Sequence, residues 1–145
     1  METTIERDTL LKAVAKVQSI IERKSNMPVL STILLRAQQS AIEISATDLE
    51  LGFRQKIPAE VKTEGNVTVS GRKLFEILKE SHASRFRIKQ QENARVLLTD
   101  GVARFELAFI SPDEFPSIME PEDVTMVPVQ GKVLSEMIQK TIYAI

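Results

Sequence analysis

The sequence predicts an α+β fold made of two similar halves, each with one helix packed on antiparallel strands. A strand followed by an amphipathic helical stripe starts at Ile5 and again at Val69, 64 residues later. Strands that carry a Thr-Asp pair recur 52 residues apart, at Thr47 and at Thr99. A third strand and helix start at Val129. Because repetition at fixed offsets is a fold-level signal, these observations decide the architecture before any site is considered.

The repeated positions carry similar residue types. An offset of 64 places Thr4, Ile5, Leu10, Leu11 and Val14 on Thr68, Val69, Leu74, Phe75 and Leu78. An offset of 52 places Ile44, Thr47, Asp48 and Phe53 on Val96, Thr99, Asp100 and Phe105. The order of strand, helix and Thr-Asp strands is therefore used twice in full, and a third copy begins.

In the first half, a strand is expected at residues 3–5, followed by a helix with Asp8 or Thr9 as its N-cap. The apolar stripe of this helix is Leu10, Val14, Val17 and Ile21. Residues 25–28 end the helix, because a residue before proline is disfavoured in helical conformation. Residues 29–35 are typical of a strand buried on both faces. Strands at 41–46 and 49–57 complete an antiparallel meander.

The second half repeats this plan, with a strand at 67–69, a helix from about 72 to 80, and strands near 85–89, 94–99 and 102–109. Residues 110–123 then contain three prolines and five acids, which predicts an extended surface linker. Residues 125–129 and 133–145 add one strand and one helix with nothing to cover the helix. We therefore predict a first domain at 1–123, including the acidic linker 111–123, and the incomplete opening of a second at 124–145.

Length and composition favour a soluble cytoplasmic protein. A chain of 145 residues has the size of one domain. The absence of cysteine excludes disulfides and thiolate chemistry and is consistent with a reducing compartment. No apolar run approaches the ~20 residues that a membrane span requires, and the first residues do not form a signal segment.

The formal net charge of −1 conceals a division along the chain. Between Gly71 and Lys89 six bases outnumber two acids, whereas residues 111–123 carry acids and no bases. A protein that holds nucleic acid by phosphate neutralisation alone usually has a basic total charge. Any role on DNA therefore requires a few cations placed on one surface.

The residues offer little support for catalysis, a metal or a cofactor. The single histidine, His82, follows a helix and fits a surface role better than that of a general base. Asp48 and Glu50 make a poor metal or glycosidase pair without further acids or a histidine. Glycine-rich phosphate loops and nucleophile elbows are absent from the sequence. Because Thr47-Asp48 and Thr99-Asp100 recur with the fold, we expect these side chains to serve turns.

Several segments resemble the bacterial sliding clamp, the beta subunit of DNA polymerase III. They are residues 27–35 (MPVLSTILL), 46–50 (ATDLE), 71–78 (GRKLFEIL) and 114–116 (EFP). The resemblance implies the DNA-clamp fold, in which each of three domains is a pseudo-twofold pair of halves. It also implies that two subunits assemble head to tail around duplex DNA. The chain resembles the first domain and about the opening sixth of the second.

The resemblance further implies a DNA-facing surface on the two helices and the loop after the first. The corresponding basic residues are Arg7, Lys12, Lys16, Arg23, Lys24, Arg72 and Lys79. Lysine at position 24, where the family carries arginine, keeps the charge but loses the planar guanidinium. The alternative is that these residues are ordinary solvated helix faces.

A subunit boundary is implied at the last strand. Phe105 and Leu107 lie two residues apart and share one face of a predicted edge strand, which a partner's strand can extend. Lys73, Arg95 and Arg104 match family positions that pair with acids of the partner subunit. The alternative is that Phe105 belongs to the core, as its counterpart Phe53 would.

The leading hypothesis is a non-catalytic processivity factor that holds the replicative polymerase on DNA. Its expected partners are duplex DNA, a second copy, the polymerase and the clamp loader. We expect these 145 residues alone neither to close a ring nor to contain the groove that binds polymerase and loader. A stand-alone interaction module is the first alternative, and an enzyme that uses Asp48 or Asp100 is the weakest.

Overall fold

The structure is a computed structural model that describes residues 1–21, 27–118 and 125–144. The helices are α1 (Arg7–Val17), α2 (Gly71–Glu80) and α3 (Gly131–Thr141). The strands are β1 (Glu2–Glu6), β2 (Thr32–Gln38), β3 (Ala41–Thr47), β4 (Gly52–Pro58), β5 (Glu60–Thr63), β6 (Gly65–Ser70), β7 (Arg85–Gln91), β8 (Arg95–Thr99) and β9 (Arg104–Ala108). Short 3-10 turns occupy Pro28–Ser31, Pro112–Glu114 and Ile142–Ala144.

The described strands form two antiparallel sheets that exchange their first strands. One sheet, here called sheet A, has the order β5-β1-β7-β8-β9, and the other, sheet B, has the order β4-β3-β2-β6. Strand β1 pairs with β7 of the second half, with Ile5 opposite Phe86, and β6 pairs with β2 of the first half, with Val69 opposite Ile33. Each half therefore supplies one strand to the other half's sheet, so neither sheet is complete without both halves.

One hydrophobic core joins both sheets and both helices. Helices α1 and α2 lie side by side and antiparallel, since the start of α1 contacts the end of α2 and the reverse. Their stripes, Leu10, Val14 and Val17 on α1 and Leu74 and Leu78 on α2, are buried among the inward-facing side chains of the strands. The predicted class, two helices packed on antiparallel sheets in a duplicated domain, is confirmed.

The repeated Thr-Asp pairs form the same turn twice. Leu49 N donates to Thr47 Oγ1 over 3.0 Å, and Leu51 N donates to Asp48 Oδ1 over 2.6 Å. In the second copy, Gly101 N donates to Thr99 Oγ1 over 3.2 Å and Ala103 N to Asp100 Oδ1 over 2.7 Å. Asp48 and Asp100 are thus turn residues, because their carboxylates satisfy backbone donors.

Several predicted boundaries in the first half were wrong. Helix α1 begins at Arg7, before the predicted caps Asp8 and Thr9, because the Arg7 backbone N–H finds a distant acceptor, Ser84 O, at 2.8 Å. Residues 28–31 form a 3-10 turn, so β2 starts later than the apolar run suggested. Residues 49–51 belong to the Thr-Asp turn instead of a strand. Strand β5 was not predicted.

The region after β9 also differs from the prediction. Residues 110–118 pack on sheet B, so this part of the predicted linker is attached to the domain. Residues 125–130 form no strand, since no described strand lies beside them to pair with. Helix α3 exists, but its side chains are exposed, including Leu134 and Met137.

Candidate nucleic-acid interface and subunit edge

Three hydrogen bonds, from the side chains of Arg7 and Gln18, join the ends of α1 and α2. Arg7 Nε donates to Leu78 O at 2.8 Å, and Arg7 Nη2 donates to Lys79 O at 3.3 Å. At the other end, Gln18 Nε2 donates to Gly71 O at 3.2 Å. Position 71 has no side chain because an added Cβ would overlap Ile21 Cδ1. The two helices are therefore joined at both ends.

The structure gives Arg7 a structural partner that the sequence did not indicate. Its guanidinium contacts the last carbonyls of α2 and pairs with Asp8 at 2.6 Å, leaving the side chain 21% exposed. A cation at a helix C-terminus satisfies free carbonyls and complements the helix dipole. Arg7 therefore caps α2, and its charge is largely engaged within the protein.

The other predicted cations of the helix pair are exposed. Lys12 and Lys16 lie one turn apart on α1, and Lys16 Nζ donates to Gln55 Oε1 at 3.2 Å. On α2, Arg72 forms an i,i+4 ion pair with Glu76 at 3.0 Å, and Lys79 lies in the last turn. Arg23 and Lys24 lie outside the described residues. The structure thus places Lys12, Lys16, Arg72 and Lys79 on the exposed surface of the helix pair, with Lys16 reaching the edge strand β4.

Strand β9 is an edge of sheet A, as predicted, but its side chains divide between two faces. Leu107 is 6% exposed and Phe105 is half-buried, and both pack against the core. Arg104 and Glu106 alternate with them and face outward, away from the helices. What β9 presents to another molecule is consequently its backbone edge, its outward face and part of Phe105.

The remaining cations predicted for the subunit boundary are exposed but come from different elements. Arg95 begins β8 on the outward face of sheet A, opposite Ala108 of β9. Lys73 lies in the first turn of α2, where its backbone N–H donates to the capping Ser70 Oγ at 3.4 Å. Ser70 is the N-cap of α2, and it was not predicted from the Ser-x-x-Lys spacing of the sequence.

Acids on the outward face of sheet A pair with neighbouring cations. Glu2 lies 3.2 Å from Lys62 and 3.9 Å from Lys89, and the Lys62 hydrogen bond lowers the pKa of Glu2. Arg85 pairs with Glu6 at 3.0 Å and with Glu60, and the Glu60 hydrogen bond raises the pKa of Arg85. Arg95 and Arg104 are not drawn into these pairs within the described chain, so their charges remain available on the surface.

The described residues contain no cluster of three or more acids, histidines or cysteines arranged to hold a metal ion. Among the described helices, none combines the length and apolar character needed to cross a membrane.

Exchanged first strands, an antiparallel helix pair and two meanders define a domain of the DNA-clamp class. A family model described as the N-terminal domain of the DNA polymerase III beta subunit matches residues 1–119. The chain belongs to this family, which confirms the resemblance seen in the sequence.

The similar curated proteins are beta sliding clamps. The beta sliding clamp of Caulobacter vibrioides (strain NA1000 / CB15N) is 32% identical over 147 residues, which cover 100% of this chain and 40% of that protein. The beta sliding clamp of Pseudomonas putida is 32% identical over 146 residues, with 99% and 40% covered. The chain spans about 40% of the length of these relatives.

Solved structures agree on the fold. Caulobacter crescentus pol III beta superposes with a TM-score of 0.92 at 30% identity, covering 99% of this chain and 39% of that one. The DNA polymerase sliding clamp of Bacillus subtilis superposes with a TM-score of 0.94 at 21% identity, covering 99% and 40%. At that lower identity the second match supports the fold alone.

Proposed function

We propose that this chain supplies the first domain of a non-catalytic processivity factor, a ring that encircles duplex DNA and holds the replicative polymerase on it. The observation that carries the proposal is the helix pair. Lys12, Lys16, Arg72 and Lys79 are exposed on it, and its apolar face packs on both sheets. Family membership supports the same assignment.

The charge distribution suits attachment by enclosure. A ring that slides must avoid tight phosphate contacts, since each one replaces a condensed counterion and strengthens static binding. The net charge of −1 and the pairing of Arg72 with Glu76 keep the attraction weak. Lys12, Lys16, Arg72 and Lys79 are accordingly proposed to face the duplex. Arg23 and Lys24 are proposed to join them, whereas Arg7 acts by holding α1 against α2.

The proposed subunit boundary is the β9 edge. A partner strand would add to its free backbone groups, and Arg95 and Arg104 would attract acids of that partner. Lys73 would contribute from α2. Of the two predicted apolar contacts, Phe105 is half-buried and can contribute partly, whereas Leu107 would act by supporting the strand from the core.

The proposed organisation assigns residues 1–123 to this first domain and residues 124–145 to the start of a second. The exposed apolar face of α3 supports the second part of this assignment, because an amphipathic helix requires a covering layer. The polymerase and the clamp loader are proposed to bind outside residues 1–145.

The test is a chimera in which residues 1–145 replace the matching residues of the Caulobacter vibrioides beta sliding clamp. We expect the chimera to be retained on nicked circular DNA and released when the circle is cut, since enclosure depends on closed DNA. A chimera that forms dimers but leaves circular and linear DNA equally fast would refute the proposal. The same result together with tight binding of an unrelated protein would favour a stand-alone interaction module.

A further inference from the structure

Residues 110–118, here called the strap, cross sheet B after β9 ends. The strap begins at Ile110, whose carbonyl oxygen accepts a hydrogen bond from Thr68 Oγ1 of β6. A 3-10 turn capped by Ser111 follows, and Phe115, Pro116 and Ile118 are then half-buried against β2, β3 and β4. The strap therefore has a defined path across the sheet, with a crevice between part of it and the strands.

The strap makes the two halves of the domain differ. On sheet B three outward-facing positions beside it are buried, with Leu34 9% exposed, Ser45 4% and Thr68 0%, whereas Arg36 and Arg54 are exposed. Outward-facing positions on sheet A, such as Arg87 and Lys89, are exposed. Among the described residues the strap therefore lies on sheet B and distinguishes it from sheet A.

Two residues of β4 hold the far end of the strap. Gly52 leaves room for Ile118, because a Cβ at position 52 would lie 2.7 Å from Ile118 Cγ2. Arg54 Nη2 donates to Ile118 O at 3.3 Å. The Arg54 guanidinium also lies 3.8 Å from Glu43 Oε1, which holds it over the sheet. Gly52 and Arg54 therefore both contact Ile118, the last described residue of the strap.

We propose that Gly52 and Arg54 are positioning residues, which clamp the strap so that the chain leaves sheet B in one direction. This inference rests on the proposed function, because the direction matters when the following residues belong to a closed ring. A ring closes only when successive units are rotated relative to one another by a fixed angle. A loose connection between two units would allow that angle to vary. Gly52 and Arg54 act on DNA retention through geometry, without touching DNA.

The first test asks whether Gly52 holds the strap, and it uses the 145-residue chain. The chain has no cysteine, so Ser45→Cys creates a single thiol under the strap and Ser84→Cys a matched exposed one. We expect a thiol reagent to label position 45 at least tenfold more slowly than position 84. Gly52→Val should raise the rate at 45 at least tenfold and leave the rate at 84 unchanged.

Loss of folding would not explain this result. Gly52→Val should keep a cooperative thermal transition, since the substitution displaces the strap and leaves the shared core in place. Gly131→Val is the matched control, because an added Cβ there has no neighbour within 4 Å. Ile118→Ala in the Gly52→Val background removes the clashing Cγ2 and should restore slow labelling. Fast labelling at 45 in the parent chain would overturn the proposal.

The second test places the same substitutions in the chimera. We expect Gly52→Val to shorten retention on circular DNA at least tenfold while dimer formation is preserved, and Gly131→Val to leave retention unchanged. If Gly52→Val frees the strap but retention stays the same, the positioning role is refuted and the proposed function stands. If the unsubstituted chimera is not retained, the proposed function itself fails, whatever the labelling shows.

Discussion

Arg7 Nε donates a hydrogen bond to Leu78 O over 2.8 Å, and these two residues, 71 positions apart in the chain, join helices α1 and α2. This bond places the first residue of α1 at the end of α2, where free carbonyls need donors. Because Arg7 joins the start of α1 to the end of α2, it fixes the relative position of the lysines and arginines further along both helices.

Arg7→Gln should therefore lower the free energy of unfolding by about 1–2 kcal/mol, the usual effect of removing a charged hydrogen bond at a helix end. Urea denaturation of the 145-residue chain measures this. Lys12→Gln, on the exposed face of the same helix, is the control and should change stability by less than about 0.5 kcal/mol. Equal effects of the two substitutions would contradict the capping role.

Leu49 and Gly101 occupy the same place in the two Thr-Asp turns, and both have positive φ, 79° and 96°. Leucine pays a steric penalty in this region that glycine does not. We expect Gly101→Leu to destabilise the chain by about 1–2 kcal/mol and Leu49→Asn to stabilise it by up to about 1 kcal/mol. Thermal unfolding of both variants checks the pair. A drop in the stability of Leu49→Asn would show that the exposed leucine makes an interaction worth more than the strain.

Acid should weaken the second turn. The backbone N–H groups of Ala103 and Val102 lower the pKa of Asp100 below its ordinary 3.8, because they bond to the charged form. A carboxyl whose pKa is lowered on folding contributes stability that is present above the unfolded pKa and disappears as pH falls through the folded pKa. Stability measured by denaturation should thus fall below about pH 3.8. Asp100→Asn, which keeps an acceptor oxygen, should reduce that dependence, and an unchanged acid profile would argue against it.

The exposed lysines of α1 should contribute to DNA binding in the chimera. Lys12→Gln combined with Lys16→Gln should weaken association, and the slope of log K against log salt should become shallower by about 0.9 for each phosphate that is no longer neutralised. Lys56→Gln on β4 is the control, since it removes an exposed lysine that lies beside Glu43 on the sheet face. If both variants shift the slope alike, the helix pair has no special role.

Substitutions of Arg104 and Phe105 should distinguish a residue that serves the subunit boundary from one that serves the core. Arg104 is exposed and faces outward, so Arg104→Glu should weaken dimers of the chimera at least tenfold and leave the stability of the 145-residue chain unchanged. Phe105→Ala should lower that stability by about 1–3 kcal/mol, because the ring packs on the core. Analytical ultracentrifugation and urea denaturation give the two readouts. A stable Phe105→Ala monomer would mean that the side chain serves only the boundary.

Much of the fold could be predicted from residues close together in the chain. Buried stripes at helical spacing located α1 and α2, and alternation located the meanders. The offset of 52 correctly predicted that Asp48 and Asp100 serve turns. Helix boundaries were less accurate where the partner is distant, as with Ser84 O at the start of α1.

The candidate site was predicted only in part. Exposed lysines on a helix are visible in the sequence because the apolar stripe identifies the opposite face. The engagement of Arg7 by α2, the inward packing of Leu107 and the attachment of residues 110–118 were not visible. Proline and acid content alone suggested a free linker, whereas Gly52 and Arg54 hold its end on β4.

The sequence by itself determined the duplicated α+β class, the helix stripes, the Thr-Asp turns and the family, since repeats, periodicity and short motifs can be read from the order of residues without their contacts. Only the tertiary structure decided that β1 and β6 exchange sheets, that Arg7 caps α2, and that the strap covers one sheet and leaves the other open. These features depend on interactions between residues dozens of positions apart. Such interactions are selected by the packing of the whole core, and no local pattern encodes them.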